Sequence, residues 1–526
     1  WDLVFRDGFQ VFISTIYFIG YTVLFYVGIS WLFSWLDKCS FMQDEKPASK
    51  VTVFVFNKYP FICCWLILLL AWSPYLIFFY PGSLDVDAFT QVLQFYKEWS
   101  LQNNHPIFST YIIGICVKFG QNILSDNFGI FIYTLLQSIV FSASLAFAIS
   151  QLRYFNTSVG FRKLCLMFFA LCPVFPGYAQ YVVKDTLYIS VLLFFSVLFV
   201  RLIQKPDLWF NYKYKLSLGI LAILLCLLRH NGIHIVIISG LLFLCIRISK
   251  KIKIQFGAGL IFLCIFFYCY NSFVIPLFGV TNTTSTAGAI LPIPFQQTAR
   301  YVKYHSDEIT YEEREILNEI FDYNLLAESY DPEKSDAISR IYKYPEAEKM
   351  QTYFQLWFRQ LLNHPGTYIQ AAIHKFYGYF YPDIDVYNYR GFGFRVDITP
   401  FVVDYTDFMN LYMIDKWQPI RNFICNFMYC FQKIPGLGLL YSIGIYTWIL
   451  MLMLAYLIRI RHFQSIIAYM PAILTLLICI VSPVNRYLRY YMPVITMIPI
   501  LVAYFLYVLN NIDKKSTVKK TKAVRL

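Results

Sequence analysis

Long apolar runs separated by short polar segments dominate the chain. A membrane-spanning helix needs about 20 predominantly apolar residues, and about eleven apolar runs of 14 to 28 residues are candidate spans. The runs lie at 9–36, 52–79, 128–150, 164–182, 186–203, 216–229, 233–246, 255–275, 437–458, 464–482 and 491–510. The pattern predicts an all-α integral membrane protein with about 11 transmembrane helices, within a range of about 10 to 13.

Basic residues orient these predicted spans. If every run crosses once, the clusters that include Lys38, Arg162, Lys213, Lys251 and the tail from Lys514 all fall on one side, which the positive-inside tendency assigns to the cytoplasm. Counting 105–121 as a further crossing would break this consistency. We therefore interpret that segment as a juxtamembrane or re-entrant helix in the first outer loop.

The spans divide the chain into three regions. Residues 1–275 form an N-terminal transmembrane module with its first outer loop at 80–127, residues 276–435 form a mainly helical extracytoplasmic loop domain, and residues 436–526 form C-terminal transmembrane helices and a basic cytoplasmic tail. The sequence begins at Trp1 and not at Met, so the pattern leaves open whether residues precede it.

Composition excludes an ordinary soluble protein. Hydrophobic residues make up 58% of the chain and charged residues 14%, with a mean hydropathy of +0.53, whereas soluble domains carry about 25% charged residues. The net charge of +13 is spread over short loops and not gathered in one stripe, so we predict no nucleic-acid partner. Phosphate-cradling loops and the common hydrolase motifs are absent from the sequence, which argues against ATP-driven transport and hydrolysis.

Two acidic residues stand directly after a predicted span. Asp85 and Asp87 follow Pro81 and Gly82, just above the expected membrane surface. A carboxylate there can act as a general base toward a hydroxyl. The pair could instead share a divalent cation, or one residue could simply cap the following helix. Position alone does not choose between these alternatives.

The other polar candidates also fall in outer turns. They are His105, the Lys184-Asp185 turn, the Arg229-His230-Asn231 turn, and Arg486 and Arg489 in the last outer turn. Guanidinium groups at headgroup depth suit bidentate phosphate contacts, although solvated turns and headgroup anchoring are the simpler explanations. In the loop domain, Gln297 and Arg300 are weaker candidates for substrate binding.

Together these segments resemble the GT-C superfamily of membrane glycosyltransferases, which has many spans, an acidic residue in the first outer loop, juxtamembrane helices there and an outer domain. The chain is also similar to uncharacterised bacterial membrane proteins grouped with that superfamily. It departs from the pattern in one respect, because the span at 9–36 precedes the one leading into the acidic loop.

The resemblance implies a transferase, usually inverting, that uses a polyprenyl-phosphate-linked sugar at the outer leaflet. Asp85 or Asp87 would then deprotonate the acceptor, and the donor phosphate would be held by Lys184, Arg229, Arg486 and Arg489. The remaining candidates would contact substrate: His105, Asp185, His230, Asn231, Gln297 and Arg300. Some members use a divalent metal, so Mg²⁺ or Mn²⁺ at Asp85 and Asp87 stays open, but we expect no required cofactor.

The leading hypothesis is a glycosyltransferase of the bacterial plasma membrane with its active site on the extracellular face. Its partners would be the lipid-linked donor, membrane lipid and an envelope polysaccharide, teichoic-acid-type polymer or glycolipid acceptor. Alternatives are a flippase or transporter of lipid-linked saccharides, and a polysaccharide ligase or polymerase that uses diphosphate-linked donors. Transporters tend to show internal repeats and polar groups at mid-bilayer, whereas here the polar groups cluster at the outer ends.

Overall fold

The fold is taken from a computed structural model that describes residues 4, 7–38, 49–280, 291–382 and 408–523. These residues are mainly helical. The helices of seven or more residues, numbered in chain order, are α1 (Gly8–Lys38), α2 (Pro60–Phe78), α3 (Val86–Phe95), α4 (Ile107–Ile123), α5 (Asp126–Gln151), α6 (Val159–Leu171), α7 (Val174–Gln180), α8 (Lys184–Gln204), α9 (Tyr212–Leu228), α10 (Gly232–Leu244), α11 (Lys250–Cys269), α12 (Pro292–Tyr304), α13 (Tyr311–Ile320), α14 (Ala347–Asn363), α15 (Pro365–Phe376), α16 (Gln418–Lys433), α17 (Ile443–Arg459), α18 (Met470–Ile480) and α19 (Leu488–Ala523).

Shorter helical turns complete these elements. Short α-helices cover Lys50–Val53, Ile275–Leu277, Tyr323–Leu326, Asp336–Arg340 and Phe463–Ile466, and π-helical turns cover Phe54–Lys58 and Tyr270–Val274. Turns of 3₁₀-helix cover Leu152–Phe155, Pro206–Phe210, Ser306–Glu308, Tyr377–Tyr379, Asp415–Trp417, Gly438–Tyr441 and Ile467–Tyr469. Two strands are present in the described chain, β1 (Ser83–Leu84) and β2 (Tyr181–Val182).

The helix lengths agree with a multi-pass membrane protein but do not confirm eleven spans. Within the described residues, 7 helices are long and apolar enough to cross a membrane, or up to 8 if α6 and α7, bent by 51°, form one broken span. The spans predicted at 216–229, 233–246 and 437–458 fall on α9, α10 and α17, which have 17, 13 and 17 residues. A full crossing takes about 20 residues, within a range of about 17–25, so α9 and α17 are at the lower limit and α10 is below it. The apolar runs at 216–229 and 233–246 are themselves only 14 residues long, so the sequence pattern already left these two crossings short.

The core of the bundle is built around α8 and α19. Their apolar windows are 78% and 83% buried, they pack against each other, and α5 packs beside α8. By contrast α1 is 0% buried and joins the bundle at its end, where Asp37 pairs with Arg459 at 2.6 Å. An apolar helix exposed along its length is expected where the surrounding solvent is lipid.

The two short strands join the acidic loop to the start of α8. β1 and β2 are parallel, with Ser83 opposite Tyr181, and the backbone N–H of Asp85 donates to Val182 O at 3.3 Å. Gly82 precedes β1 with a φ of +124°, and a Cβ there would lie 2.4 Å from Thr134 Oγ1. Glycine is required because both the backbone conformation and the close approach exclude a side chain.

The segment 291–382, called the loop domain below, has a small hydrophobic core of its own that includes Phe295, Leu317 and Tyr353. It is mainly helical, as predicted, while residues 281–290 and 383–407 of the predicted domain lie outside the described residues. The domain holds the loop 482–487 through backbone bonds, including Ser335 N–H to Pro483 O at 3.0 Å and Asn485 N–H to Glu333 O at 2.9 Å. Since α19 begins directly after that loop, the loop domain helps to fix where α19 starts.

Candidate functional site

A single arginine connects three carboxylates at the end of the bundle that carries the loop domain. Arg489 donates from Nη1 to Asp85 at 2.6 Å, from Nη2 to Asp87 at 2.7 Å and from Nε to Asp185 at 2.5 Å. The arginine side chain is only 7% exposed. A planar guanidinium presents donors in fixed directions, so it can satisfy several carboxylates at once where a lysine cannot. We call these four residues and their neighbouring cations the Arg489 cluster.

Three separate elements supply the carboxylates and the arginine. Asp85 and Asp87 stand at the start of α3, Asp185 is the second residue of α8, and Arg489 is the second residue of α19. The β1–β2 pair brings the first two elements together, and the buried packing of α8 on α19 brings the third. The cluster therefore depends on contacts between residues up to 404 positions apart.

Two further cations complete the Arg489 cluster. Arg229, at the end of α9, pairs with Asp185 at 3.1 Å, and its guanidinium lies 4.3 Å from the ring centre of Tyr490. Lys184 Nζ contacts Nδ1 of His105. The cations Lys184, Arg229 and Arg489 thus balance the three carboxylates, as a buried group of charges requires.

The electrostatic environments of the two loop aspartates differ. Burial is the largest influence on Asp85 and raises its pKa, although Arg489 opposes this effect. Burial also acts to raise the pKa of Asp87, but Arg489 and Lys184 outweigh it and hold that pKa below its usual range. Burial and the neighbouring Lys184 lower the pKa of His105 to about 4, so the imidazole is neutral at pH 7 and can accept a hydrogen bond from the ammonium.

The three carboxylates also differ in the exposed fraction of their side chains. The side chain of Asp185 is 1% exposed, that of Asp85 is 15% exposed and that of Asp87 is 39% exposed. Tyr181 also donates a hydrogen bond to the carboxylate of Asp85. Among the three, Asp87 is therefore the carboxylate that a substrate can approach most easily.

The structure also tests the simpler explanation that one aspartate merely caps a helix. Asp85 does occupy the N-cap position of α3, but its side chain makes no capping hydrogen bond and is directed to Arg489. Asp87 lies in the first turn and also binds Arg489. Capping by the Asp85 side chain is therefore excluded as the reason for its position.

Several predicted contacts fall elsewhere. His230 binds the carbonyl of Asn103 at 2.9 Å and lies close enough to Lys184 and Arg229 for their charges to act on it. Asn231 occupies the N-cap position of α10 without a capping bond from its side chain. Arg486 pairs with Glu333 of the loop domain at 2.7 Å, and Tyr377 donates to the same carboxylate. Arg486 thus joins the loop 482–487 to the loop domain.

Gln297 and Arg300 lie inside the loop domain and do not join the cluster. The side-chain amide of Gln297 donates to Tyr368 O at 3.1 Å, and Arg300 donates to the hydroxyl of Tyr330 at 3.0 Å. Both residues are less than a tenth exposed. Their polar groups join α12 to Tyr368 of α15 and to Tyr330, so they hold the interior of the loop domain together. The sequence had offered them only as weak candidates for substrate binding.

A divalent cation at Asp85 and Asp87 would have to displace a guanidinium. Both aspartates direct Oδ2 to adjacent nitrogens of Arg489, so the positive charge between them is already supplied by the arginine. Carboxylate oxygens are suitable ligands for Mg²⁺, but the ion keeps strict octahedral geometry and needs space for several waters. The arrangement as it stands fits the arginine better than the metal.

Sequence reasoning missed the residues that hold the strand pair. Gln180 accepts from Ser83 N–H at 3.0 Å, and the amide of Gln137, in the middle of α5, donates to Ala179 O at 2.9 Å and to Tyr181 O at 2.7 Å. A glutamine inside an apolar run is the signal that could have identified Gln137, because an amide in a buried helix needs partners.

A sequence family described as "Family of unknown function (DUF6020)" matches residues 100–522, which is most of the chain, and the protein belongs to that family. The match includes Lys184, Arg229 and Arg489 and begins after Asp85 and Asp87. No curated protein and no solved structure matches the chain.

Proposed function

We propose that this DUF6020 protein is a membrane glycosyltransferase that moves a sugar from a polyprenyl-phosphate-linked donor to an envelope glycan or glycolipid on the extracellular face. The observation that carries the proposal is the Arg489 cluster, in which a carboxylate that is 39% exposed, Asp87, stands beside the buried cations Lys184 and Arg489 at one end of an apolar helical bundle. Charged groups at the end of membrane helices are costly unless they are paired or functional, and here the pairing leaves one carboxylate accessible.

Asp87 is the general base in this proposal. It removes the proton from the acceptor hydroxyl as the hydroxyl oxygen attacks the anomeric carbon, and the bond from that carbon to the phosphate oxygen breaks. Attack opposite the leaving phosphate inverts the anomeric centre. In the free protein, Lys184 and Arg489 keep the pKa of Asp87 low. A bound donor phosphate would offset that positive charge and raise the pKa of Asp87, so the carboxylate becomes a better base when donor is present.

Lys184 and Arg229 neutralise the phosphate that leaves. Lys184 contacts His105 and is close enough to influence Asp87, and the guanidinium of Arg229 is 17% exposed. Preorganised cations at a developing negative charge are the usual source of catalysis in such a reaction. We assign Arg489 and Asp185 a positioning role, because each is committed to partners within the cluster.

The test is transfer of radiolabelled sugar by the full-length protein purified in detergent. Polyprenyl-phosphate sugars and diphosphate-linked oligosaccharides are supplied as separate donors, with a cell-envelope extract as acceptor. We expect label to move from the monophosphate donors. Transfer from diphosphate donors alone would indicate the ligase or polymerase, and lipid movement across vesicle bilayers without any transfer would indicate a flippase.

Variants at the two loop aspartates test the base. We expect Asp87→Asn to abolish transfer while the protein still elutes as a folded species, because an amide cannot accept the proton. Asp85→Asn keeps an accessible Asp87 and should retain measurable transfer at a reduced rate.

The matched control is Asp207→Asn, an exposed aspartate just beyond the far end of α8, about 30 Å along the helix from Asp185. It should transfer as the unmodified protein does. Full transfer by Asp87→Asn would refute the assignment of the base.

A further inference from the structure

Two histidines and a glutamate converge in the loop domain, outside the Arg489 cluster. His305 directly follows α12, Glu308 lies three residues later, and His364 directly precedes α15. Nδ1 of His305 lies 3.2 Å from Oε1 of Glu308, and Nε2 of His364 lies 2.7 Å from Oε2 of the same carboxylate. A ligand atom from each of the three residues lies within 4.8 Å of the others.

We propose that His305, Glu308 and His364 bind one Zn²⁺ ion that ties the end of α12 to the start of α15. Zinc binds imidazole nitrogen at about 2.0–2.1 Å and carboxylate oxygen at about 2.0–2.2 Å, so tetrahedral ligands lie about 3.4 Å apart. The two histidine-to-carboxylate separations, 3.2 Å and 2.7 Å, are somewhat shorter than this value, and all three ligand atoms lie within 4.8 Å of one another, so one ion can reach them all. Two histidines, one carboxylate and an open fourth position form a known zinc ligand set, in which water or another small ligand completes the coordination.

A neighbouring side chain is placed where it can hold the tautomer that a metal needs. Nε2 of His305 lies 2.8 Å from Oγ1 of Thr367, in the first turn of α15. If Nε2 carries the proton and donates it to that hydroxyl, the lone pair of Nδ1 is directed at the carboxylate side, where the ion would lie. Metal-bound histidines almost always have such an outer partner, which fixes the ring and its tautomer.

An ion at this position would also affect the loop 482–487, which contacts the other end of α15. The far end of α15 carries His374 and Lys375, which contact the loop 482–487 through Asn485 and through Pro483 O, respectively. That loop leads directly to Arg489. An ion at the near end of α15 therefore stabilises the helix that holds the loop in front of the Arg489 cluster.

The test of this proposal is a measurement of zinc binding, which does not involve transfer. The full-length protein in detergent is first stripped of metal by chelator and dialysis. We expect one Zn²⁺ per chain in competition with a chromophoric chelator, and a higher unfolding temperature when Zn²⁺ is added, because the ion binds the folded state. Co²⁺ in place of zinc should give the visible absorption of a four-coordinate site.

Variants locate the ion. Thr367→Val should weaken zinc binding by about 10- to 100-fold, as loss of an outer partner does, and Glu308→Gln and His364→Ala should weaken it further. Glu319→Gln, which removes another exposed carboxylate of the same domain, should bind as the unmodified protein does.

Failure of the unmodified protein to take up stoichiometric zinc would overturn the proposal, as would unchanged affinity in Glu308→Gln. The Glu308 side chain is exposed, so this variant should fold even if His364→Ala does not.

Discussion

Replacing Arg489 by glutamine removes the guanidinium that bonds to all three carboxylates of the cluster. The charge balance of three carboxylates against three cations then becomes an excess of one negative charge in a site where Asp185 is 1% exposed. Breaking a buried ion pair by removing one partner costs about 3–5 kcal/mol, because the remaining charge is left without compensation. We therefore expect Arg489→Gln to lower the free energy of unfolding by about that amount.

A second substitution tests whether the cost comes from the unpaired carboxylate. Asp185→Asn removes a buried charge that Arg489 would otherwise neutralise, so adding it to Arg489→Gln should restore part of the lost free energy. Residues in one ion-pair network commonly show interaction energies of about 0.5–3 kcal/mol in such double-mutant cycles. Arg489→Lys should fall between the unmodified protein and Arg489→Gln, because one ammonium cannot reach three carboxylates with the geometry of the guanidinium.

The assay is unfolding in mixed micelles with an increasing fraction of denaturing detergent, followed by tryptophan fluorescence. Arg359→Gln is the control, since Arg359 forms a 2.9 Å pair with Glu313 but is 60% exposed. An exposed pair contributes about 1 kcal/mol or less, so this variant should unfold nearly as the unmodified protein does. A loss in Arg489→Gln no larger than in the control, or no recovery on adding Asp185→Asn, would refute the reasoning.

Two further predictions concern the surroundings of the cluster. Gly82→Ala should destabilise the protein by about 1–3 kcal/mol and reduce transfer, because φ is +124° and the new Cβ would meet Thr134 Oγ1. The control Gly219→Ala, where nothing lies within 4 Å of the new Cβ, should neither destabilise the protein nor reduce transfer. Burial lowers the pKa of His105 from 6.5 in the unfolded chain to about 4 in the folded protein. Between pH 6.5 and pH 4 the unfolded chain therefore binds more protons than the folded protein, and the free energy of unfolding falls as the pH falls through that range. His105→Gln should therefore reduce the loss of unfolding free energy between pH 7 and pH 4.5 by about 2 kcal/mol, measured by unfolding at both pH values. An equal loss in the variant and the unmodified protein would contradict the lowered pKa of His105.

Local patterns in the sequence determined the class of the protein. Hydropathy identified an all-α membrane protein, and the acidic and basic residues at the ends of apolar runs included Asp85, Asp87, Lys184, Asp185, Arg229 and Arg489, which do form one cluster. These predictions depend on local properties of the sequence. The burial of an apolar run in lipid and the energetic cost of a charge at a helix end each depend on only a few neighbouring residues. The number of full crossings was not determined in this way, because the runs at 216–229 and 233–246 are only 14 residues long and the helices α9, α10 and α17, with 17, 13 and 17 residues, are at or below the lower limit of about 17 residues for a crossing.

Tertiary structure alone decided which charged groups meet. Arg489 was predicted to bind a phosphate, yet its nitrogens bond to carboxylates as many as 404 positions away, and Arg300 was predicted to contact substrate but lies in the core of the loop domain. The convergence of His305 with His364 likewise depends on how α12 and α15 pack. Hydropathy and residue type specify that a charge needs a partner, but the partner is chosen by the packing of helices that are distant in sequence.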